Sequence, residues 1–278
     1  MLVMIKGAGD IASGIALRLW RTGIRVYMTD LPEPSSIRRS VCFSEAVRLG
    51  ETKVEEVRAV RAESTDEVLR LLEENILPVI VDPKAESATA LHPDVIVDAI
   101  LAKENLGTTI NDAPGVVGVG PGFTAGVDCH AVVETMRGHT LGRVIWSGSA
   151  IPNTGVPGNI GGYTIERVMH SPCGGKFHAL RAIGDTVEAG EVVATIGGEP
   201  LYAKITGTLR GILPEGFTVP RAHFKSADVD PRCRLFHCFT ASDKALSVGG
   251  GVLEAVLMLT SAVGTARKPD KRGEDYGE

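Results

Sequence analysis

The tightest constraint on this chain is the segment Gly7-Ala8-Gly9-Asp10-Ile11-Ala12, which fits the pattern G-x-G-x-x-[GA]. The apolar run Leu2–Ile5 before it reads as a buried strand. Ile11–Thr22 after it reads as a helix, with Ile11, Ile15 and Leu19 on one face. A second strand, Arg25–Thr29, ends at Asp30, 18 residues past Ala12. In that context the turn predicts a dinucleotide site. Gly7 permits the tight turn, Gly9 leaves room for a pyrophosphate, and Asp10 opens a helix whose free N–H groups favour phosphate. Ala12 lets that helix pack closely on the sheet. Asp30 is placed to accept hydrogen bonds from a ribose diol, which favours NAD or a related dinucleotide. A purely structural turn, or one serving another ligand, fits the same residues.

Strand-like runs at Val54–Val60, Val79–Val81, Val95–Val97 and Thr108–Ile110, with a helix at Thr65–Glu74, extend the alternation. Alternating strands and helices predict an α/β fold built on a Rossmann-like parallel sheet. Asn111–Gly126 holds seven Gly or Pro residues and reads as loop, as does Ser147–Gly162; loops of this length are usually functional. Between them, Ala131–Thr135 and Arg143–Trp146 read as strands. From Ser171 to Asp230, turn signals such as Gly184-Asp185, Gly190-Glu191 and Gly197-Gly198 predict a small all-β module. Helical signal returns at Lys244–Val263, interrupted near its start by Gly249–Gly251. The expected division is an α/β domain over 1–168, a barrel-sandwich-like β module over 169–235, a C-terminal helical segment over 236–264 and a disordered tail over 265–278.

The loops hold the other candidate site residues. Gly118, Gly120, Gly122 and Gly126 are candidates for a backbone cradle around a polyanionic cofactor. Asp128, His130 and Glu134 share one parity, so a strand would place them on one face, with His139 in the following turn. His130, Glu134 and His139 are candidates for acid–base work, and Asp128 with His130 for a metal; a polar network bracing the loops fits equally. Arg38 and Arg39 stand close enough to reach a phosphate or a carboxylate, or are solvated loop cations. Cys42 reads as a nucleophile, a sulfur or selenium carrier, or a small buried hydrophobe.

Composition excludes some functions. With 29 Lys+Arg against 34 Asp+Glu the chain carries a net charge of −5, which argues against nucleic acid as a partner. No apolar run is long enough to span a bilayer, and the five scattered cysteines form no CxxC pair, so the cytoplasm is the expected location. The oligomeric state stays open, a homo-oligomer included.

The β module is similar to biotinyl and lipoyl carriers around Gly184-Asp185, Gly190-Glu191 and Gly207. The hairpin tip Gly197-Gly198-Glu199-Pro200 lacks the lysine to which a carrier attaches its arm. More extensively, IKGAGDIASGIALRLWRTG, VYMTD, IRRSVCFSEAV and above all GVGPGFTAGVDCHAVVETMRGHTLGRVIWSGSAIPNTGVPGNIGG resemble the selenium-dependent molybdenum hydroxylase system proteins of the YqeB type. That family is related in function to the xanthine dehydrogenase accessory proteins, and the resemblance runs from Met1 to about Gly264. It implies a Rossmann-like start and a role in maturing molybdenum hydroxylases by handling or inserting a modified molybdopterin-type cofactor. A molybdopterin dinucleotide would be the ligand and a hydroxylase subunit the partner. The resemblance assigns no catalytic residue. An NAD-dependent oxidoreductase acting on a small molecule is the alternative.

Overall fold

The computed structural model describes residues Met1–Gly264; the expected tail over 265–278 lies outside the described residues. Strand β1 (Leu2–Lys6) leads through the glycine turn into helix α1 (Asp10–Arg21) and then β2 (Arg25–Asp30). After the short α2 (Glu45–Leu49) come β3 (Glu51–Val54) and β4 (Val57–Ala62), then α3 (Thr65–Glu73), β5 (Leu77–Val81), α4 (Ser87–Leu91), β6 (Val95–Asp98) and β7 (Gly115–Val119). Next are β8 (Thr124–Ala125), β9 (Ala131–Val133), β10 (Val144–Ile145) and β11 (Gly148–Ser149). The large sheet has the order β10-β9-β7-β6-β1-β2-β5-β4-β3. It is parallel except for its outermost pairs, β10–β9 and β4–β3, while β8 and β11 form a separate ribbon.

Period-two alternation splits the sheet between two cores. Val3, Ile5, Val26 and Met28 face α1, while Met4 and Tyr27 face Val68, Leu71 and Leu72 of α3 and Leu91 of α4. The remaining strands are β12 (Val168–His170), β13 (Gly175–Ala179), β14 (Thr186–Val187), β15 (Val192–Ile196), β16 (Glu199–Tyr202), β17 (Gly207–Ile212), β18 (Thr218–Val219) and β19 (Lys225–Asp230). They form two four-stranded antiparallel sheets around Phe177, Val193, Leu209 and Val229. Gly197 and Gly198, at φ 59° and 94°, make the two-residue turn from β15 to β16 that only left-handed backbone can close.

The last element, α5 (Asp243–Thr260), returns to the large sheet, and Val248, Val252 and Val256 join the α1 core. The expected interruption at Gly249–Gly251 is absent: Gly249 and Gly251 sit where α5 touches its neighbours, while Gly250 faces open space. A Cβ on Gly251 would lie 2.1 Å from the Gly142 carbonyl oxygen, and one on Gly249 2.8 Å from that of Gly14.

Three other expectations are corrected. Val54–Val60 is a hairpin rather than one strand, reversing at Glu55 in left-handed conformation. Thr108–Ile110 is not a strand; the Asn105 side chain accepts the Thr108 amide at 2.8 Å in a local turn. Conversely, the Gly- and Pro-rich stretch hides β7, which is buried along its whole length between β6 and β9.

Candidate functional site

The sheet order places the chain's change of direction at β1, whose neighbours are β2 and β6. Ligands of open parallel sheets bind beyond the strand C-termini at such a point. Here a cleft of about 1040 Å³ opens between those strand ends and the β module. Its floor is Lys6, the glycine turn and the loop that follows β6. Its roof comes from the loop Asn153–Ile160 and from His170, Arg210, Lys225 and Asp228 of the module.

Gly7, Gly9, Asp10, Ala12 and Asp30 all line this cleft. Gly7 is required by the backbone itself, with φ at +91° and the Ala99 carbonyl oxygen 3.1 Å from where a Cβ would stand. Gly9 differs. Its backbone (φ −73°, ψ −172°) suits any residue, and the nearest atom to a Cβ built on it is the Ser36 hydroxyl at 3.4 Å. The fold leaves that space open. No side chain caps α1, whose first turn faces the same space.

The Asp30 carboxylate accepts the Ala8 amide at 3.1 Å and the Leu31 amide at 2.8 Å, so it also fixes the glycine turn. Burial pushes its carboxyl above the usual range, against those two bonds. Asp10 pairs with Arg38 through Oδ2 at 2.7 Å, while its buried Oδ1 has no hydrogen-bond partner among the described residues. At the end of β1, Lys6 lies 3.2 Å from the buried Asp98, which accepts the Thr108 hydroxyl at 2.5 Å.

The cleft is cationic. Eight Lys and Arg side chains line it against four carboxylates, an excess of four positive charges in a chain whose net charge is −5. Several of these cations are partnered: Arg137 grips Asp243 at 2.7 and 3.0 Å, and Arg167 lies 3.7 Å from Asp228. Burial and the neighbouring Arg38 hold the Arg210 guanidinium below its ordinary value, and burial raises the Asp228 carboxyl.

No family model matches the chain. A curated relative, the uncharacterized protein YqeB of Escherichia coli (strain K12), is 50% identical over 258 residues. The chain is similar to YqeB. That alignment covers 93% of this chain and 48% of the relative, so the chain spans about half the length of YqeB. Among solved structures, an aspartoacylase family protein from Mesorhizobium loti aligns over 84% of this chain and 86% of its own. It does so at 12% identity and a TM-score of 0.27, too slight a likeness to bear on fold or activity.

Asp128, His130, Glu134 and His139 lie outside the cleft. Glu134 is buried and its carboxylate accepts three backbone amides, those of Thr135 and Met136 at 2.6 Å and Ile151 at 2.8 Å. That makes it a brace for two loops rather than an acid–base group. Val116 donates its amide to Nδ1 of His130 at 3.1 Å, and Asp128 accepts the Thr124 amide at 2.7 Å. Among the described residues no group of three or more His, Cys, Asp and Glu is arranged to hold a metal, and Asp128 and His130 are engaged with the backbone amides of Thr124 and Val116. His139 is exposed in the turn after β9.

Nor do Gly118, Gly120, Gly122 and Gly126 line the cleft. A Cβ would strike Phe123 from Gly118, Thr135 from Gly120 and Glu104 from Gly122, while Gly126 holds a turn at φ +87°. They are packing and turn residues. Cys42 is buried at the cleft wall, and burial pushes its thiol far up, away from the nucleophilic thiolate.

Sequence reasoning missed Lys6, Lys103, Arg210, Lys225 and Lys244. Single cations carry no motif, and only the folded chain gathers them. The loop Asn153–Ile160 was legible as a functional stretch but its residues were not singled out.

Proposed function

We propose that the cleft binds a pyrophosphate-bridged dinucleotide and that the protein serves in the maturation of selenium-dependent molybdenum hydroxylases. In this reading it is a cytoplasmic accessory protein that holds a modified molybdopterin-type cofactor for delivery to a hydroxylase subunit. The observation that carries the ligand class is Gly9. Neither backbone conformation nor packing requires glycine there, and the space a Cβ would fill lies where a pyrophosphate meets the uncapped start of α1 in a Rossmann-like turn. The cationic lining supports a polyanion. The family resemblance supplies the maturation role, and five free cysteines suit a reducing compartment.

The residues fit the group in three ways. The α1 N-terminus would hold the phosphates, Asp30 would accept from a ribose diol, and Asp10 Oδ1 offers a buried acceptor. When bound, the cofactor brings its own metal and dithiolene chemistry. The chain's residues bind, orient and shield it.

Asp30 also favours a second reading, an NAD-dependent oxidoreductase. His130 and His139 stand outside the cleft, so in that case Lys6, beside Asp98, would be the proton-carrying group.

The test is genetic and chemical. A strain lacking this protein, complemented with Gly9→Val, is expected to yield hydroxylase without activity, while the wild-type gene restores it. Full hydroxylase maturation in the strain lacking the protein would overturn the maturation role.

A further inference from the structure

Three lysines of the cleft come from parts of the chain remote from one another. Lys103 stands in the loop after β6, Lys225 begins β19 of the module, and Lys244 is the second residue of α5. None of the three ammonium groups has an ion pair or a hydrogen bond among the described residues. This is unusual within the same cleft, where Lys6, Arg38, Arg137 and Arg167 each have a carboxylate within 4.0 Å. The carboxylates nearest Lys244 are already committed, Asp10 to Arg38 and Glu134 to three amides.

Lys103 and Lys225 stand exposed at the rim of the cleft, and partial loss of water there, with Lys225 near it, holds the Lys103 ammonium below its ordinary value. The same loss of water, with Lys103 and Arg137, does so for Lys244. Asp228 acts on Lys225, and Asp10 and Glu134 act on Lys244, but each of these carboxylates is shared with an arginine or with backbone amides. The remaining like-charge repulsion weakens the ligand-free fold, and an anion between the lysines relieves it.

Their place gives the anion's position. Asp30 and Asp82 lie past β2 and β5, on one side of the glycine turn, and Lys103 lies past β6 on the other, with Lys225 and Lys244 near enough to act on it. A dinucleotide set with its diol on Asp30 and its pyrophosphate on the turn extends its second half toward the lysines.

We infer that Lys103, Lys225 and Lys244 form an anion subsite for the group carried beyond the pyrophosphate, and that this half of the ligand is therefore anionic. A phosphate ester or a metal–oxo group satisfies the subsite, and a cationic nicotinamide ring does not. The assignment of the ligand's second half rests on the dinucleotide reading above; the anion subsite itself does not.

The experiment compares ADP, ATP and inorganic phosphate on three proteins by calorimetry and thermal shift. ATP extends ADP by one phosphate on the far side of the pyrophosphate. Wild type is expected to bind ATP about tenfold more tightly than ADP, the scale of one charge-assisted contact. The triple variant Lys103→Gln/Lys225→Gln/Lys244→Gln is expected to lose that difference while keeping its ADP affinity. Its melting temperature is expected to equal or exceed that of wild type, because repulsion is relieved.

Gly9→Val should weaken both nucleotides yet still be stabilised by inorganic phosphate. Equal ATP and ADP affinities in wild type, or a triple variant that melts lower and keeps the ATP preference, would overturn the subsite. If neither nucleotide binds wild type, the dinucleotide reading fails, and phosphate decides the subsite alone. Stabilisation lost in the triple variant keeps it, and no stabilisation of wild type removes it.

Discussion

Arg38 donates to Asp10 at 2.7 Å, and this one ion pair joins the first turn of α1 to a segment seated in the β module. Next to Arg38, Ile37 is buried in the module core, and its carbonyl accepts the Ile212 amide at 2.8 Å. Arg39 donates to the Ile212 carbonyl at 2.9 Å. Residues 37–39 thus fasten the module to the glycine turn at the wall of the cleft. Neither arginine is a solvated loop cation, and Arg38 is committed to Asp10 and to the His237 and Thr240 carbonyls.

Arg38→Met should therefore destabilise the fold by about 3 kcal/mol, since it leaves the Asp10 charge without its partner. Chemical denaturation measures it. The double variant Asp10→Asn/Arg38→Met should lose clearly less than the sum of the single losses, the mark of direct coupling.

Gly14→Ala tests the contact between α1 and α5. The new Cβ would stand 2.5 Å from the Ala245 Cβ and 2.8 Å from its carbonyl, against backbone that cannot yield. A loss of about 1–3 kcal/mol is expected from overpacking, read as a lowered melting temperature. Gly9→Ala, where there is room, should melt like wild type.

Asp243→Asn tests a pH dependence. The bidentate hydrogen bond from Arg137 holds the Asp243 carboxyl down to about 2, from an ordinary value of 3.8. The folded state therefore binds this proton less readily than the unfolded chain. Its stabilisation is complete above about pH 4 and is lost as pH falls through about 2. The stability gap between wild type and Asp243→Asn, followed by acid titration of unfolding, should close over that window.

Thiol labelling separates the cysteines. Cys42 is buried with its thiol pushed up by burial, and Cys233 is exposed. Iodoacetamide at neutral pH should modify Cys233 and leave Cys42 intact until the protein is denatured, as read by peptide mass mapping.

The first two strands, α1 and the glycine turn were legible because their signals are local: an apolar run, a helical period and a motif at fixed spacing. β7 was not, since its glycines serve packing. Gly118 makes room for Phe123, and in sequence that looks like a loop. Gly249–Gly251 misled in the same way, because a close helix contact and a helix break use the same residue. Asp30 was found by its spacing, but its bond to the Ala8 amide was hidden until the strand ends came together. The lysine subsite left no sequence signal, for its members are more than a hundred residues apart between Lys103 and Lys225.

Gly9 is proposed to be small for a pyrophosphate and not for the fold. Isothermal titration of ADP into wild type and Gly9→Ala, with melting curves of both, tests it most directly. Wild type should bind with micromolar affinity, the variant at least about tenfold more weakly, and the two melting temperatures should match. Equal affinity in the two proteins would contradict it.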